Sequence, residues 1–83
     1  MGSSILHRPA YRQFCAKLRS WRLKAGLTQR ELAAKLDQIP SYVHKTEVGD
    51  RRIDPLEFIE WCRGCEKDPA SAVRELEKES QRR

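Results

Sequence analysis

The chain has 83 residues, 39% of them hydrophobic and 35% charged, so it has room for one small folded domain and none for a separate catalytic domain. No apolar run approaches the roughly 20 residues that a membrane span needs, so we expect no membrane partner. The three cysteines are an odd number, which is unusual for a disulfide-stapled secreted domain and favours a reducing, cytoplasmic compartment.

The net charge of +5 is unevenly distributed along the chain. Residues 1–52 hold eleven Lys and Arg against four Asp and Glu, a net charge of +7. Residues 53–83 hold six against eight, a net charge of −2. This asymmetry suits a polyanionic partner such as nucleic acid, and the alternative is a solvated basic surface without a partner.

The first predicted helix runs from Pro9 to Ala25, after a tail over residues 1–8. Its apolar residues recur three and four positions apart, as they do on the buried face of an amphipathic helix. Pro9 suits the first turn and Gly26 the C-terminal stop. The apolar stripe consists of Tyr11, Phe14, Cys15, Leu18, Trp21 and Ala25.

Two short helices follow, joined by a tight turn. Thr28 and Glu31 have the spacing of a capping box, which opens a helix that ends near Asp37. Asp37 is expected to take a positive φ in the turn, and Pro40 suits the first position of the next helix, which stops at Gly49. This pattern over residues 28–49 predicts a helix-turn-helix. Val43 and Thr46 should face inward, and Ser41, Tyr42, His44 and Lys45 should face outward.

Two further helices complete an all-α single domain over residues 9–83. Asp54 and Glu57 form a second capping signature, and Asp68-Pro69 opens a C-terminal helix over residues 69–81. On the fourth helix, Leu56, Ile59 and Cys62 are expected on one side. Exposed apolar side chains on the last two helices are our candidates for a dimer surface, namely Trp61, Val73 and Leu76.

The run Gly-Leu-Thr-Gln-Arg-Glu-Leu-Ala at residues 26–33, with Val43, Glu47 and Gly49 downstream, resembles the phage repressor and Cro-type (XRE-like) helix-turn-helix family. The resemblance covers about residues 15–69. It implies a five-helix, lambda-repressor-like domain in a bacterial or phage regulator of transcription. It further implies a repressor-like homodimer on a palindromic operator in double-stranded DNA.

The resemblance also implies roles for individual residues. Arg22 and Glu47 match a partly buried ion pair. Gln29 matches a residue that binds a phosphate, and Arg51 and Arg52 match a loop on the DNA backbone. Base edges would be contacted by Pro40, Ser41 and Lys45, flanked by Tyr42 and His44.

The chemistry of these side chains fits a groove in DNA. The major groove admits an α-helix, where Lys45 can donate to guanine and Ser41 can bond to either kind of partner. Pro40 stands where the family often has glutamine, and it cannot donate to a base. Charge adds Arg30 and Lys35 to the expected phosphate contacts.

Cys62 and Cys65 form a C-x-x-C motif after Trp61, which raises the alternative of a thiol redox or zinc module. Redox motifs of this kind follow a strand, and none is predicted here. A structural zinc site needs four ligands, and only Cys15, His7 and His44 could complete one. We therefore interpret both cysteines as core residues and expect no metal, cofactor or catalytic activity. An antitoxin or a protein-interaction adaptor with the same fold is the remaining alternative.

Overall fold

Five α-helices make up the part of the chain that the computed structural model describes, residues 8–81, and no strand occurs in it. The all-α prediction is confirmed. Most of the tail expected over residues 1–8 lies outside the described residues. No helix among residues 8–81 is long and apolar enough to cross a membrane. The helices are α1 (Pro9–Lys24), α2 (Gln29–Lys35), α3 (Pro40–Val48), α4 (Pro55–Gly64) and α5 (Pro69–Gln81).

Side-chain caps begin three of the helices where the sequence predicts them. The hydroxyl of Thr28 accepts the backbone N–H of Glu31 at 3.0 Å, and the Glu31 carboxylate accepts the N–H of Thr28 at 2.8 Å. Asp54 and Glu57 form the same reciprocal pair at the start of α4. The Asp68 carboxylate accepts the N–H three residues further on, at the start of α5. These caps bind backbone donors that have no partner within a helix.

The turns after α1, α2 and α4 each contain one residue with positive φ, at Gly26, Asp37 and Glu66. The prediction for Asp37 is confirmed, with φ of 56°, whereas the conformation of Glu66 was not predicted. In the turn after α2 the backbone N–H of Gln38 donates to the carbonyl of Ala33 at 2.8 Å, which closes the end of the helix.

The core lies where α1, α3 and α4 meet. Leu18, Val43 and Trp61 are fully buried there. The indole N–H of Trp61 donates to the backbone carbonyl of Leu18 at 3.1 Å, so α4 is joined to α1 by a polar contact as well as by packing. The predicted stripe on α1 supplies three buried residues, Cys15, Leu18 and Trp21.

The prediction for one side of α4 is right for Cys62, which is fully buried, and wrong for Leu56. Leu56 is 70% exposed, whereas Trp61, which we expected to be exposed at a dimer surface, has no exposed area. Trp61, Cys62 and Cys65 are the buried residues, with Phe58 packed against them. They share one side of the helix, and Leu56 lies about half a turn away from them because each residue advances the helix by about 100°.

Gly64, the last residue of α4, lies where two leucine side chains from α2 and its C-terminal turn approach closely. A Cβ at this position would lie 2.8 Å from Cδ1 of Leu32 and 3.2 Å from Cδ2 of Leu36. Any side chain there would push the two helices apart or displace the leucines.

Glu75 fastens α5 to the rest of the domain. Its carboxylate accepts the indole N–H of Trp21 at 3.3 Å and pairs with the ammonium groups of Lys17, at 3.5 Å, and Lys67. The hydrogen bond from Lys67 is the main cause that lowers the pKa of Glu75 below its usual value of 4.5. A lowered pKa in the folded state means that the ionised carboxylate stabilises the fold.

We predict that Glu75→Gln reduces the loss of stability in acid. The stabilisation by Glu75 is complete above the usual pKa of 4.5 and disappears as the pH falls through the lower folded-state pKa. Urea unfolding at a series of pH values should therefore show wild type more stable than the variant near neutrality, with the difference shrinking below pH 4.5. Glu77→Gln, on an exposed position of α5, is the matched control. A difference that stays constant with pH would contradict the prediction.

Candidate nucleic-acid interface

The two sides of α3 differ sharply in exposure. The residues exposed on one side recur with helical spacing, and the residues between them are buried, as the helical period requires. The outward position of Ser41 and Lys45 is confirmed, and Val48 joins them as an exposed apolar residue that the sequence analysis missed. The exposed side carries Ser41, His44, Lys45 and Val48, with Pro40 exposed at the first turn; the buried side carries Tyr42, Val43, Thr46 and Glu47.

The predicted outward position of Tyr42 is wrong. Tyr42 is only 7% exposed, and its ring centroid lies 6.4 Å from that of Trp61 on α4. It follows Ser41 by one residue, which rotates its side chain by about 100° around the helix and into the core. Thr46, one turn further on, donates its hydroxyl to the carbonyl of Tyr42 at 2.7 Å, so this hydroxyl is satisfied within the helix.

An ion pair between Arg22 and Glu47 ties the buried side of α3 to α1. The guanidinium donates to both carboxylate oxygens, at 2.6 Å and 3.0 Å, and both side chains are almost fully buried. A third guanidinium nitrogen donates to the carbonyl of Leu27 at 2.8 Å, just before α2. The side-chain amide of Gln29, on the first residue of α2, donates to Glu47 at 3.1 Å. One carboxylate thus connects α1, α2 and α3.

The loop after α3 holds the two arginines expected on the DNA backbone. The guanidinium of Arg51 lies 4.8 Å from the ring centroid of Tyr42 and forms an ion pair with Glu57 at 2.7 Å. The guanidinium of Arg52 lies 6.0 Å from the ring centroid of Tyr11. Both arginines are exposed, and aromatic rings on α1 and α3 limit where their charges lie.

The remaining basic residues lie at different places on α2. Arg30 is exposed near its first turn, close in sequence to Gln29. Lys35, in the last turn, donates to the carbonyl of Gly64 at 3.3 Å. This contact directs Lys35 towards the C-terminal end of α4, whereas the contact of Gln29 with Glu47 directs Gln29 towards α3.

The environment of Cys62 and Cys65 favours the core interpretation of the C-x-x-C motif. Both thiols are buried, and burial raises the pKa of each to about 11. A thiol with such a pKa is almost entirely protonated at neutral pH, whereas the thiolate is the form that reacts or binds metal. No group of three or more potential metal-binding side chains occurs within residues 8–81, and His7 lies outside them.

The remaining dimer candidates lie beside an apolar groove between α1, α4 and α5. Val73 is 53% exposed and Leu76 is half-buried. They line the groove together with Phe14, Ile53, Pro55 and Phe58. The groove is a surface that a second protein could cover, and Trp61 is no part of it.

Comparisons with known proteins agree with this architecture. A family model described as "Helix-turn-helix" matches residues 18–71. An XRE-family like protein from Pseudomonas syringae pv. tomato is similar over 93% of this chain and 94% of its own, with 39% identity and a TM-score of 0.82. The clp gene regulator ClgR from C. glutamicum is similar over 87% of this chain and 94% of its own, with 25% identity and a TM-score of 0.74. No curated protein sequence matches the chain.

We predict that removing one charge of the buried ion pair lowers the free energy of unfolding more than replacing both partners does. Glu47→Gln leaves the Arg22 guanidinium buried without its anion, which should cost about 3–5 kcal/mol of the free energy of unfolding. The double variant Arg22→Met and Glu47→Leu removes both charges and should cost less than Glu47→Gln alone. Urea unfolding measures both. Arg51→Ala, which removes an exposed pair, should cost about 1 kcal/mol or less. A double variant less stable than Glu47→Gln would contradict the prediction.

Proposed function

Since this chain belongs to the XRE-like helix-turn-helix family of DNA-binding transcriptional regulators, we propose that it is a sequence-specific, repressor-like regulator that reads the major groove with α3. It acts by binding rather than by catalysis, as a homodimer on a palindromic operator, and in a reducing cytoplasm. Each subunit places one α3 in one half-site, and the half-sites lie about 34 Å apart, one turn of DNA.

The observation that carries this proposal is the outward side of α3. Ser41, His44 and Lys45 are exposed together on a helix whose other side is locked into the core. The major groove accepts a helix of this diameter, and its base edges offer acceptors to the Lys45 ammonium and either kind of partner to the Ser41 hydroxyl. Pro40 and Val48 can contribute only apolar contacts, for which the thymine methyl group is the natural partner.

Phosphate contacts surround this helix in the proposed complex. Gln29 and Arg30 lie at the start of α2, and Arg51 and Arg52 lie in the loop after α3. Lys35 has the least support, because its ammonium contacts the end of α4. These contacts set affinity and salt dependence and carry little base identity.

The apolar groove that Val73 and Leu76 line is the proposed dimer surface. Its occupant is a second copy of the chain, because a palindromic operator is read by two identical subunits related by a two-fold axis. In such an interface each contributing residue occurs twice.

We predict that Lys45→Ala and Arg52→Ala have different effects on DNA binding. Lys45→Ala should relax the preference at one base pair, at a cost of roughly 1–3 kcal/mol. Arg52→Ala should weaken binding to all sequences about equally and reduce the dependence of log K on log salt by about one. Selection of bound sequences from random DNA at two salt concentrations measures both effects. If Arg52→Ala changed the preferred sequence and Lys45→Ala did not, the assigned roles would be wrong. An adaptor with this fold would show no salt-dependent DNA binding at all.

We predict that Val73→Gln weakens self-association. Val73 is 53% exposed, so completing the burial of its side chain contributes roughly 0.7 kcal/mol in each subunit. The dimer contains two copies of this residue, so Val73→Gln should raise the dissociation constant by about tenfold. Sedimentation equilibrium measures this constant. Leu23→Gln replaces another exposed apolar residue, on α1 and outside the groove, and should have no effect. Equal effects of the two variants would count against this dimer surface.

A further inference from the structure

The guanidinium of Arg51 already has an anionic partner in the protein alone. Its Nη2 lies 2.7 Å from Oε2 of Glu57, and its Cζ lies 4.8 Å from the ring centroid of Tyr42. The other carboxylate oxygen of Glu57, Oε1, accepts the backbone N–H of Asp54 at 2.9 Å. Glu57 is therefore held in place by the capping box of α4, and its second oxygen faces the arginine.

Arg52, the next residue, provides an internal comparison. Its guanidinium lies 6.0 Å from the ring centroid of Tyr11, and none of the ion pairs formed within residues 8–81 includes Arg52. Both arginines thus lie near an aromatic ring, but only the charge of Arg51 is neutralised by a neighbouring carboxylate. A polyanion would therefore meet Arg51 already in an ion pair with Glu57, whereas Arg52 forms no ion pair within residues 8–81.

We propose that Glu57 competes with the DNA phosphate for Arg51, so that binding requires this arginine to exchange one anion for another. The proposal rests on the proposed function. Phosphate contacts gain free energy mainly by releasing the cations condensed on DNA. When Arg51 leaves Glu57, the freed carboxylate attracts a cation of its own, which reduces the net release. Glu57 also repels nearby phosphates directly.

Tyr42 makes the exchange possible without a large movement of Arg51. Its ring is buried against Trp61 and keeps its position whichever anion Arg51 contacts. The guanidinium can rotate on the ring face and keep its stacking contact while its N–H donors change partner. Because phosphates carry no base identity, the exchange lowers affinity for all duplexes alike.

The test compares two charge-neutralising variants on α4. Glu57→Gln keeps the capping box, since glutamine serves at this position, and removes the charge that holds Arg51. Glu60→Gln, at an exposed position three residues further along α4, makes the same change in net charge. Binding is measured by fluorescence anisotropy with a labelled duplex of random sequence over a range of salt concentrations, and circular dichroism checks that each variant is folded.

We expect Glu57→Gln to bind roughly two- to fivefold more tightly at low salt, the effect of one exposed ion pair. Its salt dependence should be steeper by up to about 0.9 in log K against log salt. Glu60→Gln should show a clearly smaller gain. In an Arg51→Ala background, Glu57→Gln should lose most of its effect, because the guanidinium for which Glu57 competes is then absent.

Three results would overturn the exchange. Unchanged or weaker binding by Glu57→Gln would mean that Glu57 positions Arg51 or is irrelevant to DNA. Equal gains from Glu57→Gln and Glu60→Gln would show that the effect comes from the change in net charge alone. An undiminished gain in the Arg51→Ala background would show that Glu57 does not act on DNA binding through Arg51. With each of these results, salt-dependent binding by wild type would leave the proposed function standing, whereas its absence would overturn the function as well.

Discussion

The buried ion pair between Arg22 and Glu47 is the constraint on which the rest of this structure depends. The pair and the two groups bound to it join α1, α2 and α3, which also pack against one another through the apolar core. A bidentate pair fixes the rotation of α3 about its own axis, because the two N–H donors must meet the two carboxylate oxygens. That rotation decides which side of α3 faces solvent. A buried pair of this kind contributes geometry more than stability.

The connections between the helices are of two kinds. The turns after α1, α2 and α4 share one form, with a residue of positive φ followed by two residues before the next helix. The turn after α4 therefore resembles the turn of the helix-turn-helix, although the helix that follows it carries three glutamates against one arginine and one lysine. Only the connection after α3 is longer, and it carries Arg51 and Arg52. The same local turn geometry thus recurs at three connections, and the two loop arginines lie in the fourth, next to α3.

The proposed interface combines fixed and adjustable elements. Ser41 and Lys45 project from a helix that the core holds rigidly, which suits direct contact with base edges. The two loop arginines are exposed but restrained by tyrosine rings, which suits contact with a backbone whose exact path depends on sequence. Glu57 links the capping of α4 to the charge of Arg51, so one side chain affects both the fold and the proposed affinity for DNA.

Much of this molecule was determined by the sequence alone, because local chemistry dictates it. Capping residues, proline at helix starts and residues suited to positive φ predicted the five helices and the turn at Asp37 correctly, since each depends on neighbours within a few positions. Tyr42, Trp61 and Leu56 were placed on the wrong side. An aromatic or aliphatic side chain near the edge of an apolar stripe suits either environment, and only the packing of a neighbouring helix decides. The contact between Arg51 and Glu57 likewise depended on the tertiary structure, because the course of the loop after α3 brings two opposite charges together where sequence spacing gives no signal.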